Sequence, residues 1–284
     1  MVTPKNWLPE QLRPGAHTIS PTAHYAGYVW AHHGLGEPRL ATLQGRVMHT
    51  AGRAVMGPLE LMGGPTLEHF LLARHRIIDR LLDREIASGS VRQVVELAAG
   101  MSPRSLDLVR RHADVTCVEV DLPAMAARKK AALARIGTDP GRHHVVAADV
   151  FSASLSAVFD ALDPDQGIAV VTEGLLSYFP ADRVLNLWCR LAQELRAFST
   201  GVYLSDLHVR SSAGVPDRLF ALGLGLAVRG RVHLHFDDDA AAADALRTAG
   251  FATPAVHAPS EYAGDLPGMT AVGADRVRVV EARP

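Results

Sequence analysis

The sequence is poor in several features that would have assigned it to a class at once. Two cysteines in 284 residues are too few for a disulfide framework. Cys117 and Cys189 both stand in apolar contexts, so buried thiols in a reducing compartment are expected. Neither sign of charge is in excess: 29 basic against 30 acidic residues leave a net charge of −1, which argues against a nucleic-acid partner held by phosphate neutralisation. Long apolar runs are missing too. FALGLGLAV, from Phe220 to Val228, is far too short to span a bilayer, so no membrane partner is expected. The opening stretch MVTPKNWLPEQLRPG has no apolar core between a basic start and a cleavage site, and a cytoplasmic protein is the expectation. No further His or Cys completes a ligand set around His32-His33, His143-His144 or His233-x-His235, so no metal is expected.

The apolar share of 48% and the charged share of 21% describe an ordinary globular chain, long enough for one large domain. Residues 1–66 are rich in Gly, Pro, His and aromatics and lack a sustained period. They read as an N-terminal helical cap or arm within the same unit as residues 67–284. After Ser20-Pro21, Tyr25, Tyr28 and Trp30 recur at helical spacing. From Thr66 a helix is expected, with Phe70, Leu71, Ile77, Ile78, Leu81, Leu82 and Ile86 on one side, ending near Gly89. On that periodicity alone, Arg74 is a solvent-facing arginine.

Alternation follows. QVVELAA, VTCVEVD, HHVVAADV, GVYLSDLH, RVHLHF and RVRVVEA read as strands, and GIAVVTEGLLSYF, after the third of them, as a strand and the loop that follows it. Helices are expected at 103–112, 124–136, 152–161, along DRVLNLWCRLAQELRAF and along DDDAAAADALRTAGF, with a helical, lid-like insert near 210–235. Apolar strands alternating with helices predict an α/β fold of Rossmann-like type: a mostly parallel twisted sheet covered by helices on both faces.

In such sheets ligands bind at the carboxyl ends of the strands. Four successive strand ends here carry acids: Glu96, then Glu119 and Asp121, then Asp149, then Glu173. The first turn, ELAAGMSPRS, lacks the G-x-G-x-x-G fingerprint that lets backbone approach a pyrophosphate. Glu96 at its mouth would repel one. The chemistry suits a phosphate-free ligand with a ribose and a cationic end, which S-adenosyl-L-methionine has. Asp121, or Glu119, would accept from the ribose hydroxyls. Asp149 and the backbone of Val150 would meet the adenine, and Ala98 and Gly100 would leave room for the amino-acid portion.

These stretches carry a resemblance. TAHYAGYVWAHHGL, LLARHRIIDRLL, VVELAAGMSPRS, VEVDLPAMAARKKAAL, VVAADV and TEGLLSYFPADRV, in that order over residues 22 to about 190, resemble the leucine carboxyl methyltransferase family. This is a family of class I S-adenosylmethionine-dependent methyltransferases, and the likeness is closest to its bacterial branch of tetracenomycin-type polyketide O-methyltransferases. The resemblance implies that Arg74 pairs with the methionine carboxylate, bidentate geometry being what suits arginine to it. It further implies that Ala98 and Gly100 underlie the cofactor, with Ala98 where glycine is commoner, and that Asp121 takes the ribose. Asp149 and Val150 take the adenine, and Glu173 stands near the methionine end.

The acceptor contacts expected are Tyr25, Tyr28, Trp30, Tyr178 and His208, the last two as positioning candidates. Methyl transfer from a sulfonium is an in-line displacement that orientation can accelerate. No His/Asp pair at recognisable spacing marks a base. The expected reaction is therefore O-methylation of a small molecule, with a carboxylate of an aromatic polyketide or similar natural product favoured because it needs no base. A phenolic acceptor and a catalytically silent cofactor-binding relative are the alternatives. A nicotinamide-dependent oxidoreductase suits the fold but not the loop.

Overall fold

The computed structural model describes residues 21–61, 67–209, 233–271, 274 and 277–284, and of 55–61 the backbone only. The helical insert expected at 215–230, and the lid-like segment apart from residues 233–235, lie outside the described residues. Seven strands form one sheet in the order β3-β2-β1-β4-β5-β7-β6. They are β1 (Gln93–Leu97), β2 (Thr116–Asp121), β3 (His143–Ala147), β4 (Ile168–Thr172), β5 (Gly201–Leu207), β6 (Ala255–His257) and β7 (Arg278–Ala282). β1 to β5 run parallel, and β7 lies antiparallel to both β5 and β6. Every residue of β1, β4 and β5 is buried, which is why β4 and the centres of β1 and β5 read as apolar runs rather than alternating ones.

The helices are α1 (Pro21–His32), α2 (Leu43–Leu61), α3 (Leu67–Ala87), α4 (Arg104–Arg111), α5 (Pro123–Ile136), α6 (Ser156–Asp160), α7 (Ala181–Leu195) and α8 (Asp239–Thr248). α3 buries Phe70, Ile77, Ile78, Leu81 and Leu82 against Val94, Val171 and Val202 on one face of the sheet. α7 buries Val184, Trp188 and Leu191 against Val95, Val170 and Tyr203 on the other. Local sequence sets the ends: Pro123 opens α5 where no intrahelical donor is needed, and Gly137 follows it at φ +84°. The Asp238 side chain accepts from Ala241 N–H at 2.8 Å to start α8. No helix of the described residues is long and apolar enough to cross a membrane.

Two expectations are corrected. Cys117 is buried, and burial pushes its thiol up. Cys189, by contrast, is exposed on the outer face of α7, one position past the buried Trp188. RVHLHF alternates like a strand, yet its described residues 233–236 form none. Phe236 makes one isolated bridge to Val209, and the place beside β7 belongs to Ala255–His257. Within the aperiodic N-terminal stretch lies α2, nineteen residues long. It packs on α1 through Gly45, where a Cβ would come within 2.2 Å of the His24 carbonyl.

Candidate functional site

β1 pairs with β2 on one side and β4 on the other, so chain order reverses at β1, and the crevice above the strand ends opens there. A cavity of about 340 Å³ occupies it, floored by the 98–101 turn and the ends of β2, β3 and β4, and roofed by α1 and α3. The turn after β1 holds Ala98 at φ +54° and Gly100 at φ +54°. This left-handed conformation explains why glycine would serve better at 98. α1 lies directly on the turn: a Cβ at Gly27 would meet Met101 Cβ at 2.8 Å, and one at Gly100 would meet Ala23 Cβ at 3.1 Å. Ala98→Gly is expected to raise stability by about 1 kcal/mol. Relief of left-handed strain of roughly 1–2 kcal/mol is offset in part by about 0.4–1 kcal/mol of added freedom in the unfolded chain. Urea unfolding with an unchanged slope measures it, and a less stable variant would show that Ala98 is not strained.

Asp121 stands at the cavity with each carboxylate oxygen half used. Oδ2 accepts from Gly100 N–H and Oδ1 from Leu122 N–H, both at 2.7 Å. Burial outweighs these two donors and raises its carboxyl above the ordinary value. One acceptor position remains on each oxygen, side by side, which suits a vicinal diol. Glu119, the other ribose candidate, is not in the cavity wall. It is buried behind, 2.6 Å from Lys129 Nζ and 2.7 Å from His143 Nε2. Asp149, on the rim, spends Oδ1 on Phe151 N–H at 2.9 Å, and the buried Val150 lines the cavity beside it.

Arg74 is buried rather than solvent-facing, because α3 turns that position toward the strand ends. Its Nε donates to Glu173 Oε1 at 3.0 Å and its Nη1 to Asp206 Oδ2 at 2.9 Å. Nη2 has no hydrogen-bond partner among the described residues. It lies over Gly174, where a Cβ would come within 2.7 Å of it and where φ is +69°. Glycine at 174 makes room for this guanidinium, and Asp206 fixes the same residue by accepting Gly174 N–H at 2.6 Å. With two nitrogens committed to protein carboxylates, Arg74 has Nη2 free for a ligand carboxylate rather than the full bidentate fork. Glu173 lines the cavity. Burial alone would raise its carboxyl, but His75 and the Arg104 and Arg74 guanidinium groups outweigh that and hold it well below the usual range.

Two site residues escaped the sequence reading. Asp206 could have been found, since it is a fifth strand-end acid in the same row. Arg104 carried no signal: SPRS reads as a turn, yet the side chain is 2% exposed. It donates to Glu96 Oε1 at 2.7 Å, Glu173 Oε2 at 2.7 Å and Asp79 Oδ1 at 2.5 Å. His75 Nδ1 donates to the same Glu173 oxygen at 2.8 Å, so its 2.9 Å approach to Arg104 is that of two donors sharing one acceptor.

Besides Glu119, two more expected site residues are not in the cavity wall. Glu96 points beneath the turn to Arg104 and Ser105, because the buried guanidinium needs its charge. Tyr28 turns to the other side of α1, stacked on His32 at 5.9 Å and near His49 at 5.0 Å. Tyr25, Trp30, Tyr178 and His208 do line the cavity. Trp30 stacks on His75 at 4.4 Å, and the Tyr178 hydroxyl lies 2.7 Å from Thr22 Oγ1, tying α1 to the loop after β4. Among the described residues no group of three or more His, Cys, Asp or Glu is placed to hold a metal ion.

Residues 37–192 match the family described as leucine carboxyl methyltransferase. The chain belongs to that family. A relative in Mycolicibacterium smegmatis, assigned by name as an S-adenosyl-L-methionine-dependent methyltransferase, is 37% identical over 130 residues, covering 44% of this chain and 42% of the relative. One in Mycolicibacterium paratuberculosis, assigned likewise, is 37% identical over 120 residues, covering 42% and 39%. The matched segments thus span less than half the length of these relatives. Among solved structures, one assigned by name as a methyltransferase from Thermobifida fusca superposes with a TM-score of 0.61 at 15% identity, covering 97% of this chain and 99% of its own. One assigned as an O-methyltransferase from Nostoc punctiforme gives 0.51 at 15%, covering 91% and 72%. At such identities the likeness is one of fold, the class I methyltransferase fold.

Proposed function

We propose that this family member is an S-adenosyl-L-methionine-dependent O-methyltransferase acting on a small, largely apolar molecule such as an aromatic polyketide. The observation that carries the reading is the cavity at the β1 switch point. There a carboxylate with two adjacent acceptor positions, Asp121, shares one space with a guanidinium that keeps a free nitrogen, Arg74. This donor set fits the cofactor: paired acceptors for ribose hydroxyls, Asp149 and Val150 at the adenine edge, and Nη2 of Arg74 for a carboxylate. A pyrophosphate would meet the Asp121 carboxylate at the turn instead of free backbone N–H groups. The names of the relatives support the same assignment.

When bound, S-adenosyl-L-methionine supplies a methyl group already activated on a sulfonium. The chain's own task is placement. The Gly100 turn and Asp121 hold the adenosyl part, and Arg74, kept in line by Glu173 and Asp206, holds the amino-acid part. Tyr25, Trp30 and Phe70 exclude water and orient the acceptor, which accounts for much of the rate in a displacement of this kind. Titration calorimetry of the full chain with S-adenosylhomocysteine, and with NAD as the control, tests the reading. Binding of the first and not the second is expected, and the reverse result would remove it.

A further inference from the structure

The first turn of α7 holds a cation that the helix itself does not favour. Arg183 is the third residue of α7, and the partial positive charge at a helix N-terminus is better met by an acid such as Asp182 than by a guanidinium. Nothing nearby offsets this. Among the described residues the Arg183 side chain has no hydrogen bond and no ion pair. Its guanidinium carbon lies instead 4.5 Å from the centre of the Phe151 ring and 5.8 Å from that of Phe179. A charge set against its own helix and over two rings has its use outside the helix, since local preference gives way where a site needs the residue.

Phe151, Phe179 and Arg183 all line the cavity, with Asp149 and Val150. Both rings are half-buried and meet at 4.4 Å, tilted by 59°. Each is fixed through its backbone. Phe151 N–H donates to Asp149 Oδ1 at 2.9 Å, and the Phe179 carbonyl accepts from His235 Nε2 at 2.6 Å. Asp149 Oδ2 has no hydrogen-bond partner among the described residues. This end of the cavity therefore offers apolar ring surface, a planar cation beside it and one open carboxylate oxygen. A flat, neutral heterocycle bearing an amino group uses all three. Its faces meet the rings and the guanidinium, and its N–H reaches the carboxylate.

Resting on the cofactor reading above, we infer that Arg183 is a cofactor-binding residue: with Phe151 and Phe179 it closes the adenine slot, its guanidinium covering the purine while Asp149 Oδ2 takes the amino group. Arginine suits the place better than lysine. Its plane stacks on a π-face as a ring does, and a guanidinium is more weakly hydrated than an ammonium. Its outer side stays in water at the rim, so the charge needs no counter-ion and is not desolvated outright.

The test compares two ligands on the full chain by titration calorimetry: S-adenosylhomocysteine, and 5′-methylthioadenosine, which keeps adenine, ribose and sulfur but lacks the amino-acid part. Arg183→Leu should weaken both by the same factor, roughly tenfold, the scale of a partly desolvated cation–π contact. That factor should be equal at low and high salt, since adenine carries no charge for the guanidinium to attract. Arg183→Lys should recover only part of the loss, because it keeps the charge without the plane. The unfolding temperature of the ligand-free chain should be unchanged in both variants. Unaltered affinity in Arg183→Leu would overturn the inference. So would a loss confined to S-adenosylhomocysteine or abolished by salt, either of which would put the guanidinium on a ligand carboxylate. Full recovery in Arg183→Lys, a lowered unfolding temperature, or no binding of 5′-methylthioadenosine by the unaltered chain would overturn it as well. Failure of the unaltered chain to bind S-adenosylhomocysteine would instead bring down the cofactor reading itself.

Discussion

Arg104→Met is expected to destabilise the fold by about 3–5 kcal/mol, the scale of removing one partner from a buried ion pair. The methionine fills much of the volume but leaves Glu96 and Glu173, both buried, without their shared cation. Glu96 is the more exposed to this loss: burial raises its carboxyl even now, Arg104 is the main influence pulling it down, and what remains are the more distant charge of Lys129 and the neutral hydroxyls of Ser102 and Ser105. Glu173 retains Arg74 and His75. The sign of the pH dependence follows. In the variant Glu96 rises further above its unfolded value, and such a group contributes stability below that unfolded value and loses it as pH rises through the folded one. The deficit relative to the natural chain should therefore shrink in mild acid and grow toward alkaline pH. Glu173 in the natural chain runs the other way. Its carboxyl is held low, so its contribution is present above the ordinary carboxylate range and lost as pH falls through the folded value. Urea unfolding of both proteins across that range measures the difference. A loss below about 1 kcal/mol, flat with pH, would mean that Glu96 is neutral already and needs no cation.

Asp121→Ala is expected to weaken S-adenosylhomocysteine binding by at least tenfold. Removing a charge-assisted acceptor costs about 1.5–3 kcal/mol, and here two acceptor positions go at once. The side chain also holds the turn, through Gly100 N–H and Leu122 N–H, so part of the loss is expected through a looser 98–101 segment. Asp121→Asn separates the two effects. It keeps the size and one acceptor oxygen, and should recover part of the stability while remaining weak for the ligand. Glu119→Gln is the contrasting case. Glu119 is bound to Lys129 and His143 behind the wall, so that substitution should lower the unfolding temperature and spare affinity. Calorimetry and thermal melts on the three variants decide it. Unchanged affinity in Asp121→Ala would show that the ribose is held elsewhere.

The site was legible in part. Asp121, Asp149 and Glu173 could be picked from the chain because a strand end is a local event: the apolar run stops, and an acid follows at the one place where parallel sheets admit ligands. Glu96 satisfied the same local criterion, and Tyr28 the helical spacing of Tyr25 and Trp30, and both still face away from the cavity. Glu96 was indistinguishable from Asp121 by spacing, since its direction depends on Arg104, whose side chain has to be buried before the pairing exists. Tyr28 differs from Tyr25 and Trp30 only in its angle around α1, and that angle acquires meaning once α2 packs against one side. His208 is legible as an acceptor contact after the fifth strand, but its stacking on Phe70, the ring that Arg74 also lies over, joins two segments remote in the chain.

By itself the sequence determined the alternation of β1 to β5 with their helices, the apolar faces of α3 and α7, and the turn at Ala98–Gly100. Each follows from periodicity or from the few residues around one turn, so neighbours in the chain suffice to specify it. Tertiary structure alone decided which charges meet. Arg104 reaches Glu173 across 69 positions and Arg74 reaches Asp206 across 132, and no local pattern encodes such a distance. The edge of the sheet belongs here too. RVHLHF has the alternation of a strand and Ala255–His257 hardly any, yet the second pairs with β7, because a strand exists only where a neighbouring backbone offers its hydrogen bonds.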